Sequence, residues 1–579
     1  MAVMETIGVM RPAPPPAELG VNSFFAWEHS PAHGAGCPFI GAMRVTLAPN
    51  VGAASVLEVA AGAGATIRTY HDPARDICAY VWGLPAHPDL SQETLIRWMI
   101  EKLDAGQAVA FRELVGTFIV LIDDRRNRRF SMISDLLGLR PWFVGTFNGR
   151  LVCGSDVWAI HEARLNAGGV NYDAVASWVR QGYDNTRTSL FADYAWIGAG
   201  VVAMWEKGVL RQSPYASYTG ARKTPPRAEL LEVIHHHVSR AFDAATRELD
   251  RVTISLSGGY DSRYLAALAA GRPRLNVEAF TVADRESESE IAAVIARRLR
   301  IPLKVIPTDG SAWNMYHEPF HFMHNGFPIT KQTIYLAARQ RPRVPCLNGF
   351  VGDGILRDIL ESWRGKTEHD LGEGVLDFYQ QVQRLDHEDA RFDLLDPDFM
   401  RRCDERTLGY HRANLERWTS TEHRFLGIGL FVKQRTLFAN NFLQHLDIAE
   451  PILPFVSYDL IEYRFQNDTS CFGFDTYADL FRTYFPDIGD VPHNSKIASH
   501  KWNLDCPSRH TRLWAAHVLK GLMRRPRLAM LNRRKALPRL IGAMAGRASL
   551  EVAARFLYRL LLLEERLEKA GVSFDWGAI

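Results

Sequence analysis

No window of the 579-residue chain approaches the ~20 successive apolar side chains that cross a bilayer. The N-terminus has no basic patch followed by an apolar run, so neither a transmembrane segment nor a signal peptide is expected. Cysteine is scarce: there are seven, at 37, 78, 153, 346, 403, 471 and 506, odd in number, scattered, with no Cys-X-X-Cys pair. That pattern fits free thiols in a reducing cytosol and excludes a disulfide framework or a zinc cluster. Charge of one sign is also lacking, because 68 Lys and Arg against 65 Asp and Glu leave a net +3. Such a balance exerts no overall pull toward nucleic acid. Repeats and long low-complexity segments are absent too. What is left is a cytoplasmic, enzyme-sized protein with room for two or more domains.

The informative stretch that is present is Ser257-Gly258-Gly259-Tyr260-Asp261-Ser262. Before it, Val252, Ile254 and Leu256 alternate with Thr253 and Ser255 as in a strand; after it, Tyr264, Leu265, Leu268 and Ala269 recur at helical spacing. The glycines let backbone approach a ligand, and the small hydroxyls and helix-start N–H groups suit phosphate oxygens. Gly-Gly also makes ordinary turns, but here strand, loop, helix and acid fall in order. Asp261 repels bare phosphate, which calls for a Mg²⁺ between them. The lysine of a Walker-type loop is missing, which excludes that class of nucleotide site.

Proline and alanine crowd residues 9–18, an entry loop. From about 20 to 210 the pattern predicts mostly short strands, among them 118–123, 129–134, 142–146 and 151–155, with turn residues between them. The polar, proline-containing stretch 213–226 reads as a linker. A helix is predicted over 227–249. Its His235-His236-His237 run points in three directions and is a poor metal site. Strands at 277–282 and 303–306 flank a helix over 289–299, which implies a parallel sheet with nucleotide at the carboxyl ends of its strands. Beyond about 360 the chain reads as helical, and 512–547 holds ten Arg or Lys and no Asp or Glu.

The hexapeptide resembles the Ser-Gly-Gly-X-Asp-Ser pyrophosphate loop of the ATP pyrophosphatases. Further matches follow in order. Leu114–Phe118, Asp135-Leu136-Leu137-Gly138-Leu139-Arg140-Pro141 and Ser155 resemble the glutaminase domain of asparagine synthetases. Leu347-Asn348-Gly349-Phe350-Val351-Gly352-Asp353 is similar to that family's Leu-Thr-Gly-Glu-Gly-Ala-Asp, and Glu450-Pro451-Ile452-Leu453-Pro454-Phe455 to its Glu-Ala-Arg-Val-Pro-Phe. The resemblance spans roughly residues 20–505. It implies a multidomain α/β protein: an N-terminal αββα, Ntn-type glutaminase-like domain over 1–212 and a linker over 213–226. An α/β ATP-pyrophosphatase (adenine nucleotide α-hydrolase-like) synthetase domain over 227–510 and a basic helical extension over 511–579 complete it.

Two departures shape the expected function. The family's glutaminase nucleophile is a cysteine bearing its own free α-amine, whereas this chain begins Met1-Ala2-Val3 and its first cysteine is Cys37. Glutamine hydrolysis is therefore not expected, the N-terminal domain becomes a scaffold, and the nucleophile is an amine on the substrate. Phe350 stands where asparagine synthetases carry Glu and β-lactam synthetases Tyr. What remains is most similar to the lasso-peptide cyclases, which join a peptide's N-terminal amine to an internal Asp or Glu side chain. The implied partners are a ribosomal precursor peptide and a leader-peptide protease. The alternatives are an ammonia-dependent asparagine synthetase, a β-lactam-type synthetase and an inactive scaffold subunit.

The resemblance assigns roles residue by residue. Ser257, Gly258, Gly259 and Ser262 would bind pyrophosphate from ATP, and Asp261 and Asp353 would hold Mg²⁺. Val282 and Gly349 would flank the adenine or ribose. Glu450 would orient or deprotonate the amine, unless it is a helix-end or ion-paired glutamate. Lys501, with Lys496 as the other choice, would stabilise the adenylate. Glu286, Glu288 and Glu290 either touch nucleotide or metal or complement a helix N-terminus. The basic stretch 512–547 is a solvated face, a dock for the peptide or its protease, or a surface for anionic membrane.

Overall fold

The computed structural model describes residues 43–47, 58–61, 67–147, 150–163, 168–186, 188–218, 222–283, 286–307, 320–322, 324–330, 344–357, 394–439, 443, 449–493, 507–524, 530–545 and 550–579. Its first half builds two antiparallel sheets. One runs Glu58–Ala61, Met43–Leu47, Arg150–Gly154, Phe143–Phe147, Ala195–Trp196; the other runs Val209–Pro214, Val201–Glu206, Arg129–Ser134, Phe118–Asp124, Ile77–Gly83, Ile67–Asp72. The strands lie within a residue or two of where the alternation puts them.

Period-two alternation explains how the sheets stack. Leu151 and Cys153 join the core that also holds Phe118, Met132 and the apolar face of helix Gln92–Asp104. Val152, between them, faces the opposite way into a second core with Trp158, Val175 and Trp178, from helices Val157–Ala163 and Tyr172–Gln181. Successive strand side chains point to opposite faces, so the sheet is covered on both sides. The order is helix, sheet, sheet, helix. Phe118–Asp124, buried along its whole length, sits inside the second sheet.

The stretch read as a linker is anchored. Tyr215 and Tyr218 are buried; the Tyr215 hydroxyl donates to Ser134 O at 2.7 Å, and the Tyr218 ring stacks on Tyr458 and Phe465. The segment is polar with two adjacent prolines, and its two tyrosines hold it to both halves of the chain. Helix Arg227–Thr246 follows, then a parallel five-stranded sheet ordered Leu303–Pro307, Asn276–Ala283, Arg251–Ser255, Cys346–Leu347, Pro451–Ile452.

The stretch read as a C-terminal extension is part of the second core. Trp514, Val518, Leu557, Leu560, Leu563, Leu567 and Trp576 are buried there together with Trp158 and Trp178. Of the ten basic residues in 512–547, Arg512, Lys520, Arg524, Arg533, Arg534, Lys535 and Arg539 lie on helices Pro507–Arg524 and Arg533–Met544, which also leave Leu513, Met523, Leu537, Ile541 and Met544 exposed. Among the described residues, no helix is long and apolar enough to cross a membrane.

Candidate functional site

From strand Arg251–Ser255 the chain goes first to Asn276–Ala283 on one side and later to Cys346–Leu347 on the other. At such a reversal the loops leaving the carboxyl ends diverge, and the crevice between them is where open parallel sheets take ligands. Two loops border it. One is Ser257–Ser262, which leads into helix Tyr260–Ala270; the other is Asn348–Val351, which leads into the short helix Gly352–Leu356.

The first loop is closed by its own hydroxyls. Ser257 N–H donates to Ser262 Oγ at 3.1 Å, the two serine hydroxyls lie 3.1 Å apart, and Gly259 N–H donates to Ser257 Oγ at 3.2 Å. Asn348 shapes the second loop, its Oδ1 accepting Phe350 N–H at 2.9 Å in an Asx turn. Val351 then adopts φ +75°, a left-handed conformation that a β-branched residue rarely takes.

The second loop presses directly on Asp261. A Cβ on Gly349 would lie 2.6 Å from Asp261 Cβ and 2.8 Å from Ser262 N, and one on Gly352 would lie 2.6 Å from Asp261 Oδ1. Only glycine allows this approach. Asp261 Oδ2 accepts Asp353 N–H at 3.1 Å, and Oδ1 accepts the Tyr477 hydroxyl. Burial, and next the Asp353 charge, push the Asp261 carboxyl up to about 8. Asp353 itself is exposed, with Arg357 Nη1 3.4 Å from its Oδ2.

Two acids are thus brought together at the carboxyl edge of the sheet, one half-buried and destabilised as an anion. A divalent cation would relieve that repulsion, so the pair fits Mg²⁺. No group of three or more His, Cys, Asp or Glu side chains is placed to hold a metal among the described residues. Mg²⁺ takes one or two carboxylates and completes its shell with phosphate and water oxygens, so a two-acid site is within its needs.

Glu450 is placed differently. It precedes Pro451, which lies opposite Cys346, itself opposite Thr253. Ser257 is four residues beyond Thr253, about 13 Å further along at the rise of a parallel strand. The Glu450 backbone carbonyl accepts Cys346 N–H, and its carboxylate accepts Arg140 Nη2 of the N-terminal half. Arg140 is fully buried, lies over the Trp82 ring at 4.8 Å, and donates from Nε to Thr117 O at 3.2 Å. Burial pulls its pKa down to about 9. Removing either partner of such a buried pair strands the other charge, at a cost of about 3–5 kcal/mol. Glu450 is ion-paired, and the pair joins the two halves of the chain.

Val282 lies near the carboxyl end of strand Asn276–Ala283, half-buried and paired with Ile306. Glu288 and Glu290 lie in the first turns of helix Glu286–Leu299. Lys501 and Lys496 fall outside the described residues, as does Cys37. His235 stacks on Tyr484 at 3.7 Å and bonds the Tyr264 hydroxyl, a packing role.

Sequence reasoning missed Tyr477 and Arg263. Arg263 carried a signal, since a cation at 263 interrupts the apolar run of helix Tyr260–Ala270. Tyr477 had none, being one tyrosine of helix Phe474–Tyr484, 216 residues from the acid it binds.

Residues 92–216 match the glutamine amidotransferase domain family. The match covers the helix Gln92–Asp104 and most of the two antiparallel sheets, so this region is glutamine-amidotransferase-like. No curated protein matches the chain. Solved structures that are matched include glutamine phosphoribosylpyrophosphate amidotransferase from B. subtilis complexed with ADP and GMP. It shows 9% identity and a TM-score of 0.19 over 53% of this chain and 68% of that one. A second is described as the allosteric regulatory enzyme of purine biosynthesis, at 9% identity and a TM-score of 0.19 over 46% and 75%. At that TM-score neither enters the reading of the site.

Proposed function

We propose that the chain is an ATP-dependent, AMP-forming synthetase that makes an amide bond, closing a macrolactam on a ribosomal peptide. The observation that carries this reading is the meeting of Asp261 and Asp353 over the Ser257–Ser262 loop, at the switch point of the parallel sheet. In the first step an Asp or Glu side-chain carboxylate of the substrate attacks the α-phosphorus of ATP, forming an acyl adenylate and releasing pyrophosphate. In the second the peptide's N-terminal amine attacks the acyl carbon, AMP leaves and the nitrogen loses a proton. Mg²⁺, when bound, would neutralise charge developing on the departing pyrophosphate. Asp261 and Asp353 would hold it, while Gly258 and Gly259 let backbone approach the phosphates.

Phe350 weighs against a β-lactam-type closure, because a phenyl ring cannot take a proton where the β-lactam synthetases carry a Tyr of their catalytic base pair. The Arg140–Glu450 pair supports a scaffolding part for the amidotransferase-like half, since the pair ties it to the sheet that carries the site.

The test is AMP and pyrophosphate release from Mg²⁺–ATP with peptides that carry a free N-terminus and an internal Asp or Glu. A product lighter by one water is expected. Asp261→Asn should lower pyrophosphate release at least about a hundredfold, the scale set by loss of one preorganised electrostatic group, with the circular dichroism spectrum unchanged. Absence of AMP with every peptide, or an Asp261→Asn enzyme as active as wild type, overturns the reading.

A further inference from the structure

Helix Tyr260–Ala270 buries every side chain from Ser262 to Ala269, and one of these is a cation. Arg263 is fully buried, yet its hydrogen-bond partners among the described residues are backbone carbonyls and not carboxylates. Its guanidinium binds three backbone carbonyls: Nη2 donates to Gly258 O at 3.2 Å and to Pro492 O at 2.9 Å, and Nη1 to Val491 O at 2.6 Å. The rings of Tyr260 and Phe481 lie against it, at 5.0 and 5.5 Å.

Burying a cation is costly, and an apolar side chain of similar volume would pack the same space without that cost. Packing alone therefore does not account for arginine here. What arginine adds is a planar fork whose donors reach two segments at once. One of these is the glycine loop. With Gly258 C=O on Arg263 and Gly259 N–H on Ser257 Oγ, the peptide plane between the two glycines is held at both ends. These are the residues with the most conformational freedom to lose. The other segment is Val491–His493, where the His493 ring also lies 4.4 Å from Tyr260 and 5.0 Å from Phe474.

We infer that Arg263 is a positioning residue for the nucleotide: by binding Gly258 O together with the Val491 and Pro492 carbonyls, it holds the phosphate-facing loop in its binding shape and fastens the 491–493 segment beside it. The inference deepens the proposed ATP chemistry and rests on it.

Two measurements on the full-length protein separate the clamp from that chemistry. Hydrogen exchange of the ligand-free Arg263→Met protein should quicken at 257–262 and at 491–493 together, with Arg263→Lys intermediate because an ammonium still reaches carbonyls. Exchange unchanged at either segment, or quickened uniformly across the chain, overturns the clamp whatever the protein binds. Titration with Mg²⁺ and α,β-methylene-ATP, which cannot be cleaved at the reacting bond, should then show affinity about tenfold or more weaker for Arg263→Met. That is the scale of one lost hydrogen bond to a charged group. Methylguanidinium at millimolar concentration should restore part of the affinity to Arg263→Ala, which repacking alone would not do. Equal affinity in wild type and Arg263→Met overturns the positioning role. A wild-type protein that does not bind the analogue, while its loop exchange still responds to Arg263, overturns the ATP reading and leaves the clamp standing.

Discussion

Gly349 is where the two halves of the candidate site touch, and it shows how much one hydrogen atom can decide. A methyl group there would meet Asp261 Cβ and the Ser262 backbone nitrogen at 2.6 and 2.8 Å. Neither neighbour is a flexible side-chain end, so the loops themselves would have to part. Gly349→Ala should cost about 1–3 kcal/mol, as overpacking does, and should abolish pyrophosphate release. Gly409 is the matched control: it is exposed in helix Pro397–Glu416, a methyl group there would meet nothing within 4 Å, and Gly409→Ala should stabilise by up to about 1 kcal/mol. Urea unfolding of the two variants reads the contrast, and equal effects would refute the contact. At this scale the sequence was legible wherever chemistry sat on contiguous residues. Ser257–Ser262 and Asp353 could be read, because glycines, hydroxyls and acids are adjacent in the chain. Tyr477 and the two-segment grip of Arg263 could not, because Asp261, for the first, and the Val491 and Pro492 carbonyls, for the second, lie more than two hundred residues away.

Among the elements, strands and helices near the loop were legible because alternation and helical spacing are local signals, whereas the junctions between elements depend on buried polar pairs with no local trace. The junction of helices Tyr172–Gln181 and Pro397–Glu416 is one. His411 Nε2 accepts from Gln181 Nε2 at 3.0 Å and Asn185 Nδ2 at 3.1 Å, and burial holds its pKa down to about 3. A proton on Nε2 would turn this acceptor into a donor facing two donors. His411 is neutral in the folded protein far below the 6.5 at which it titrates when unfolded. Its contribution is therefore complete above pH 6.5 and lost as pH falls toward 3, at roughly 1.4 kcal/mol per pH unit within that window. His324, held down to about 4 by burial, adds a second such slope. In urea unfolding at pH 7.0, 5.5 and 4.5, His411→Gln should lose about one proton's worth of the acid dependence and retain that of His324. An unaltered slope would remove His411 from this account.

Across the whole molecule, the two ends of the chain's second core are the feature that no sequence pattern disclosed. Basic residues and two prolines made residues 511–579 read as a basic helical extension, its charged stretch a solvated face or a docking or membrane surface, since charge and proline are surface signals. Their apolar residues nevertheless complete the core begun by helix Tyr172–Gln181. Arg559 donates from Nε to Pro328 O at 3.0 Å and lies over Trp178 at 5.3 Å, and Arg406 binds the Ala578 and Ile579 carbonyls. Trp576 is the plug, buried against Phe399 and Phe574 and held in its turn by Asp575 Oδ1, which accepts Gly577 N–H at 2.9 Å. Truncating a buried tryptophan costs about 3–5 kcal/mol, a large part of a domain's stability. If the C-terminal helices share one core with the amidotransferase-like half, Trp576→Ala should quicken hydrogen exchange in helix Tyr172–Gln181, some four hundred residues earlier in the chain, as well as in Glu551–Lys569. If they were an appendage, exchange would rise only in the last helices and Tyr172–Gln181 would keep its protection. The integral reading requires the first result.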